Sequence, residues 1–250
     1  MRVFILGASD PEMEEIEAVL TAHNEEFRYA TVHGRRVYAQ CAYDANNVSA
    51  RIPKNAEIVF VECHVLGLAT SATIDHHREG DPGFGRPPSD YLEGSSLGQL
   101  LKMLNCEPTP LQRIIAAADH CPTQAYRGEC PLVNPTDLAH WRTLSRAKRR
   151  GVTFDEMNAA ILRGKALLDS AEKIEVGSEQ VSIMHNRDDE IPEASARFDI
   201  PFVYKGTSPA GSIKYGIMGA KPDTIAVWMA QCELSNVYGD PVRGYAGGYA

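Results

Sequence analysis

The residues best suited to chemistry lie at the ends of apolar runs. Asp75-His76-His77 follows Ile74, and carboxylate and neutral imidazole are ligands of divalent first-row metals. Adjacent side chains diverge along a strand, but on the loop beyond it both can turn toward one centre. By itself the triplet also describes a polar strand-to-loop corner with surface histidines. Three further places carry acids in comparable settings. Glu12 and Glu14 follow the apolar run 3–6, and Glu62 closes the run 57–62. Asp119 ends the helical pattern 111–119, just before His120-Cys121-Pro122. The proline biases Cys121 away from helical geometry, which puts Asp119 in the last turn, where the helix dipole disfavours an acid. Several strand ends that each offer a metal-type ligand predict a shared rim, where open α/β sheets place their sites.

The elements that must position these residues follow from pattern. The continuous apolar run 3–6 predicts a parallel strand covered on both faces. It is followed by turn chemistry in which Asp10 caps a helix and Pro11 takes its first position. Strands are expected at 27–32, 37–42, 57–62 and 73–75, a Gly/Pro-rich flap at 79–88, and helices at 95–104, 111–119, 137–150 and 154–173. After about residue 176 the periodicity becomes mixed. Strands are expected at 181–184, 202–205 and 212–218, the last two joined by 206–211, and a helix at 221–234. Asp188-Asp189-Glu190 reads as a solvated loop, and the basic run 146–150 as a solvated helix end. The tail 238–249 holds too much glycine for a helix or strand, and its tyrosines and Arg243 suit an ordered substrate loop. The fold class is α/β, divided into 1–176 and 177–250.

Composition narrows the function classes. The chain has 250 residues, 44% hydrophobic and 23% charged, which is ordinary for a globular protein with an ample core. A net charge of -8 argues against a long nucleic-acid groove, while a bound metal would still admit a small anionic substrate. No apolar run reaches the length of a membrane span, and the first six residues are too short for a signal sequence. Six scattered cysteines without a CxxC pair suit reduced thiols and a cytoplasmic location. The turn after the first strand lacks the Gly-rich phosphate loop of a Rossmann-type nucleotide binder. Oligomeric state is not legible.

Together these residues resemble the DHH phosphoesterase superfamily, which includes RecJ-like exonucleases, oligonucleotide and cyclic-dinucleotide phosphodiesterases and family II pyrophosphatases. Order and spacing agree across about half of the chain. Glu12 and Glu14 fall on the paired acids of the first motif, with Pro11 matching its proline. Glu62 falls on the second motif, His76 and His77 on the Asp-His-His triplet, and Asp119 on the fourth. The resemblance implies a parallel-sheet DHH-type N-terminal domain with a helical extension, and a smaller α/β DHHA1-like domain with a Gly-rich substrate loop. It also implies one or two Mn²⁺ or Mg²⁺ ions held by Glu12, Glu14, Glu62, His76 and Asp119. Asp75 would orient an imidazole, and His77 would touch the substrate phosphate. Lys214, Arg243, Gly247 and Gly248 would bind the distal charge. The implied activity is metal-dependent hydrolysis of a phosphate ester or anhydride in a small nucleotide, short oligonucleotide or other phosphometabolite.

Two departures stand out. Ala8 occupies the first-motif histidine position, which leaves one ion rather than two unless Asp10 or another residue replaces it. Glutamates stand where the family has aspartates. Keeping an acid each time favours a retained metal site. The alternative is a decayed centre that binds a phosphorylated ligand without turnover.

Overall fold

The computed structural model describes residues 1–185, 190–207 and 211–250, a mixed α/β chain with two multi-stranded sheets. Two compact units are Met1–Arg86 with Asp90–His120, and Pro87–Ser89 with Cys121–Ala250.

In the first unit β1 (Arg2–Leu6), β2 (Glu26–Val32), β5 (Glu57–Val61) and β6 (Ala72–Ile74) pair in parallel in the order β2-β1-β5-β6. The short strands β3 (Arg35–Arg36) and β4 (Asn47–Val48) join β2 antiparallel. Alternation along β1 and β5 sends Val3, Ile5, Ile58 and Phe60 into a cluster with Ala30, Val37 and Val65. The buried residues between them, Phe4, Leu6, Val59 and Val61, therefore face the opposite side of the sheet. Helices α1 (Pro11–Ala22), α2 (Tyr91–Gly94), α3 (Ser96–Met103) and α4 (Pro110–His120) complete this unit.

Strand order reverses between β1 and β5, so a crevice opens at their carboxyl ends. Gly7 N donates to Val61 O at 2.9 Å and pins the two ends together. A Cβ on Gly7 would lie 2.2 Å from Glu62 O, so any larger residue forces the ends apart. The strand expected at 37–42 is not formed: β3 ends at Arg36, and a 3-10 turn follows at Ala39–Cys41. Val37 and Ala42 turn down into the core rather than alternating along a ladder.

The second unit contains α5 (Pro122–Tyr126), α6 (Pro135–Arg150), α7 (Phe154–Ser170), α8 (Ile191–Phe198) and α9 (Pro222–Gln231). Its sheet is mixed, in the order β11-β12-β10-β9-β8-β7, from β7 (Lys173–Val176), β8 (Glu179–Met184), β9 (Phe202–Thr207), β10 (Ile213–Met218), β11 (Ser235–Asp240) and β12 (Tyr245–Tyr249). The units divide at His120 rather than at residue 176, because α6 and α7 share a core with this sheet: Ala147, Met157, Ile161 and Leu168 pack with Ile191, Phe202 and Tyr204. Helix α7 stops at Ser170 and Lys173 opens β7, an edge strand whose four-residue alternation Lys173-Ile174-Glu175-Val176 overlaps the end of the helix expected at 154–173.

The glycine-rich tail is a strand hairpin, not a loop. β12 lies between β10 and β11, so the amides of Gly247 and Gly248 serve the ladders. Glycine is needed at 247 because the Tyr238 ring covers it: a Cβ would lie 2.6 Å from the Tyr238 hydroxyl oxygen. Lys214 sits on β10 with its ammonium 5.0 Å from the centre of the Tyr238 ring, and the guanidinium carbon of Arg243 lies 5.6 Å from that of Tyr245.

The acid expected to be solvated at 190 is buried. Glu190 pairs with Arg146 and Arg150, and Glu193 accepts from Arg142 Nε at 2.9 and 3.0 Å and from the Tyr126 hydroxyl. Asp188, Asp189 and Ser208-Pro209-Ala210 of the expected loops lie outside the described residues. Burial alone would raise the Glu193 carboxyl, but the charges of Arg142 and Arg146 overcome it and hold the group at about 2. Because this value is depressed relative to the unfolded chain, its stabilisation is present above about pH 4.5 and is lost as pH falls toward 2. Replacing Glu193 with Ala leaves Arg142 without its partner and is expected to cost about 3–5 kcal/mol, read as a lower urea midpoint at neutral pH. A midpoint unchanged from wild type would refute the ion pair as a structural element.

Candidate metal centre

Four side chains from four separate elements meet in the crevice of the first unit. Glu12 lies in the first turn of α1, Glu62 directly after β5, His76 after β6, and Asp119 in the last turn of α4. Their donor atoms all lie within 4.8 Å of one another. His76 Nε2 is 3.1 Å from Asp119 Oδ2 and 3.4 Å from Glu62 Oε1. Glu12, Glu62 and His76 are buried, and Asp119 is half-buried. Glu62, His76 and His77 form an overlapping group at the exposed side.

Local structure explains each placement. Asp10 caps α1 by accepting from Met13 N at 2.7 Å, which sets Glu12 facing inward. Glu12 Oε1 accepts from Leu97 N at 3.0 Å, at the amino end of α3, while among the described residues Oε2 takes no hydrogen bond in a fully buried position. Glu62 adopts the left-handed conformation at φ +50°, unusual for a non-glycine residue, and donates its N–H to Ile74 O. That strained turn aims its carboxylate across the crevice, where Oε1 accepts no hydrogen bond from the described residues.

The tautomer of His76 follows from its neighbours. His120 Nε2 lies 2.9 Å from the Arg86 carbonyl, which can only accept, so Nε2 carries a proton. In the neutral form of His120, Nδ1 is a lone pair 3.2 Å from His76 Nδ1 and receives the proton of that nitrogen. His76 Nε2 is left as a lone pair pointing at the carboxylates. Gly94 makes this possible, since a Cβ there would lie 2.4 Å from the His120 ring.

Asp75 organises the other imidazole. Its buried carboxylate accepts from His76 N, His77 N, His77 Nδ1 at 2.9 Å and the Tyr43 hydroxyl at 2.9 Å. Burial opposes ionisation here, yet the hydrogen bonds from His77 and Tyr43 keep the carboxyl below its usual range. The Gln99 amide clamps the Asp75 backbone by accepting from its N–H and donating to its carbonyl.

The electrostatics of the carboxylates run the other way. Burial, with the charges of Asp119, Glu62 and Asp10, raises Glu12 well above the carboxylate range. Burial, with Asp119 and Glu62, pushes Asp10 up to about 7. Lone pairs and negative charges therefore face one another around one point, an arrangement that a cation stabilises. Ligand atoms about 2.1 Å from an ion stand roughly 3–4 Å from one another, within reach of these side chains after small rotations. Three carboxylates and one imidazole make a hard, oxygen-rich donor set that can hold a divalent metal ion.

Of the ligands expected from sequence, Glu12, Glu62, His76 and Asp119 come together, and Glu14 does not. It is exposed on α1, because helical residues two apart point to opposite sides. Asp10 is the second acid that senses the cluster. Cys63 donates to Ile5 O and burial pushes its thiol up to about 12, so it serves packing. His120, expected from its position to be a packing or supporting group, contacts the Arg86 carbonyl and His76 Nδ1 through its ring nitrogens. Lys214, Arg243, Gly247 and Gly248 belong to the second unit.

Raised carboxyl values in the folded chain carry stability that is full below about pH 3.8 and is lost as pH climbs toward 7. A divalent cation reverses that loss, so the Tm gap between Mn²⁺-supplemented and metal-free protein is expected to widen from about pH 5 to about pH 8. A constant gap would place the bound ion elsewhere. His120→Phe removes the acceptor that sets the His76 tautomer and is expected to weaken Mn²⁺ binding about 10–100-fold in calorimetric titration. Wild-type affinity in that variant would refute the role. No family model matches the chain, and no curated protein matches it.

Proposed function

We propose that this chain is a divalent-metal-dependent hydrolase acting on a phosphate ester or anhydride of a small nucleotide, short oligonucleotide or other phosphometabolite. The observation that carries the reading is the convergence of Glu12, Glu62, His76 and Asp119, whose donor atoms all lie within 4.8 Å of one another. The resemblance to DHH phosphoesterases in the order of these residues supplies the reaction class. Mn²⁺ or Mg²⁺ there would neutralise phosphoryl oxygens and acidify water.

The side chains divide the work. Glu12, Glu62, His76 and Asp119 would hold the ion, and a neutral His120 would keep His76 Nε2 unprotonated to face it. Asp75 holds His77 through Nδ1, which leaves Nε2 on the exposed side for a substrate oxygen. Asp10 shares the field of Asp119 and Glu62, and burial with those charges pushes it up to about 7 in the metal-free chain, a value that a bound cation would lower. Acidic net charge keeps a small substrate preferable to a long strand. Among the described residues no helix is long and apolar enough to cross a membrane.

One observation favours a second reading, a phosphometabolite-binding protein without turnover: Ala8 stands where the resemblance expects a histidine ligand. Elemental analysis of the purified chain, run beside a hydrolysis screen of phosphorylated compounds, separates the two. The hydrolase reading expects near-stoichiometric Mn²⁺ or Mg²⁺ and turnover, with both lost in His76→Ala. Turnover that persists in a metal-free, folded protein would reject the metal-dependent mechanism. Binding without turnover would select the second reading.

A further inference from the structure

A phosphoryl group approaching this centre meets a ring of acids, so the first unit needs a cation on the substrate side. Arg78, directly after the Asp75-His76-His77 triplet, has the geometry for it. Its guanidinium carbon lies 3.4 Å from the centre of the Tyr43 ring, in face-to-face range. Its backbone N–H is held by Asp81 Oδ2 at 2.7 Å. The Tyr43 ring is the side-chain partner of that guanidinium among the described residues. Stacking on a ring face uses none of the guanidinium's in-plane N–H donors. Arg36 and Arg28 contrast with it, since each spends its donors on a carboxylate and a backbone carbonyl.

One buried anchor serves both Arg78 and His77. Asp75 accepts from the Tyr43 hydroxyl and from His77 Nδ1, and the Tyr43 and His77 rings lie 6.5 Å apart. The platform under the guanidinium and the exposed imidazole are thus set by the same carboxylate. A rigid, stacked guanidinium with a free edge matches two coplanar anionic oxygens, whereas a flexible ammonium would offer only a point charge.

We propose that Arg78, stacked on Tyr43 and adjacent to His77, receives two unesterified oxygens of the substrate's phosphoryl group. The assignment rests on the hydrolase reading above and adds the residue that recognises the anion. Inorganic phosphate is the probe, titrated calorimetrically into wild-type, Arg78→Ala and Arg78→Lys proteins, each loaded with one equivalent of Mn²⁺. Metal content and circular dichroism are recorded for all three. Arg78→Ala is expected to keep its metal and fold and to lose about tenfold or more in phosphate affinity. Arg78→Lys, which keeps the charge and loses the fork, is expected to fall between. Equal phosphate affinity in wild type and Arg78→Ala, or none measurable in either, with metal bound, overturns the role of Arg78 alone. A wild-type protein that takes up no metal overturns the hydrolase reading and this assignment with it.

Discussion

Three carboxylates share one crevice with an imidazole whose lone pair faces them, and the rest of the first unit is arranged to hold them there. Two like charges about 4 Å apart repel by roughly 4 kcal/mol at an effective dielectric of about 20. Such an arrangement persists in a fold only if something compensates. Protonation does so in part, as the raised carboxyls of Asp10 and Glu12 indicate. A divalent cation does so better, because it satisfies the oxygen lone pairs and the imidazole together.

The contrast with Glu193 sharpens the point. It too is a buried glutamate, yet Arg142, Arg146 and Tyr126 surround it and its carboxyl is driven down to about 2. The fold has supplied that carboxylate with its own cations. Around Glu12 and Glu62 the supporting groups are a backbone amide, imidazoles and other acids. The same buried carboxylate chemistry in two environments therefore reads as structure in the second unit and as a cluster that could hold a cation in the first.

Precision in the centre comes from groups that never touch it. Gly7 lets the ends of β1 and β5 close on each other, and Arg36 holds the Gly7 carbonyl at 2.9 Å. Gln99 fixes the Asp75 backbone, Gly94 makes room for His120, and His120 in turn sets one proton on His76. Donors oriented by such contacts bind an ion with little rearrangement.

Pattern alone was enough for the parallel strands, the Asp10 cap, the helical end at Asp119 and the candidacy of Glu12, Glu62 and His76, since apolar periodicity and turn chemistry are local properties. It was not enough for Glu14, whose exclusion follows from helical rotation once α1 begins at Pro11. Nor did it separate a glycine-rich loop from β12, because the Tyr238 ring that covers Gly247 comes from the neighbouring strand. The burial of Glu190, the proton on His76 Nδ1 and the stack of Arg78 on Tyr43 depend on partners distant in the chain. Residue types and their order settled which groups were available. Long-range contacts alone decided which of them share one low-dielectric space, and that sharing is what turns separate acids into a site.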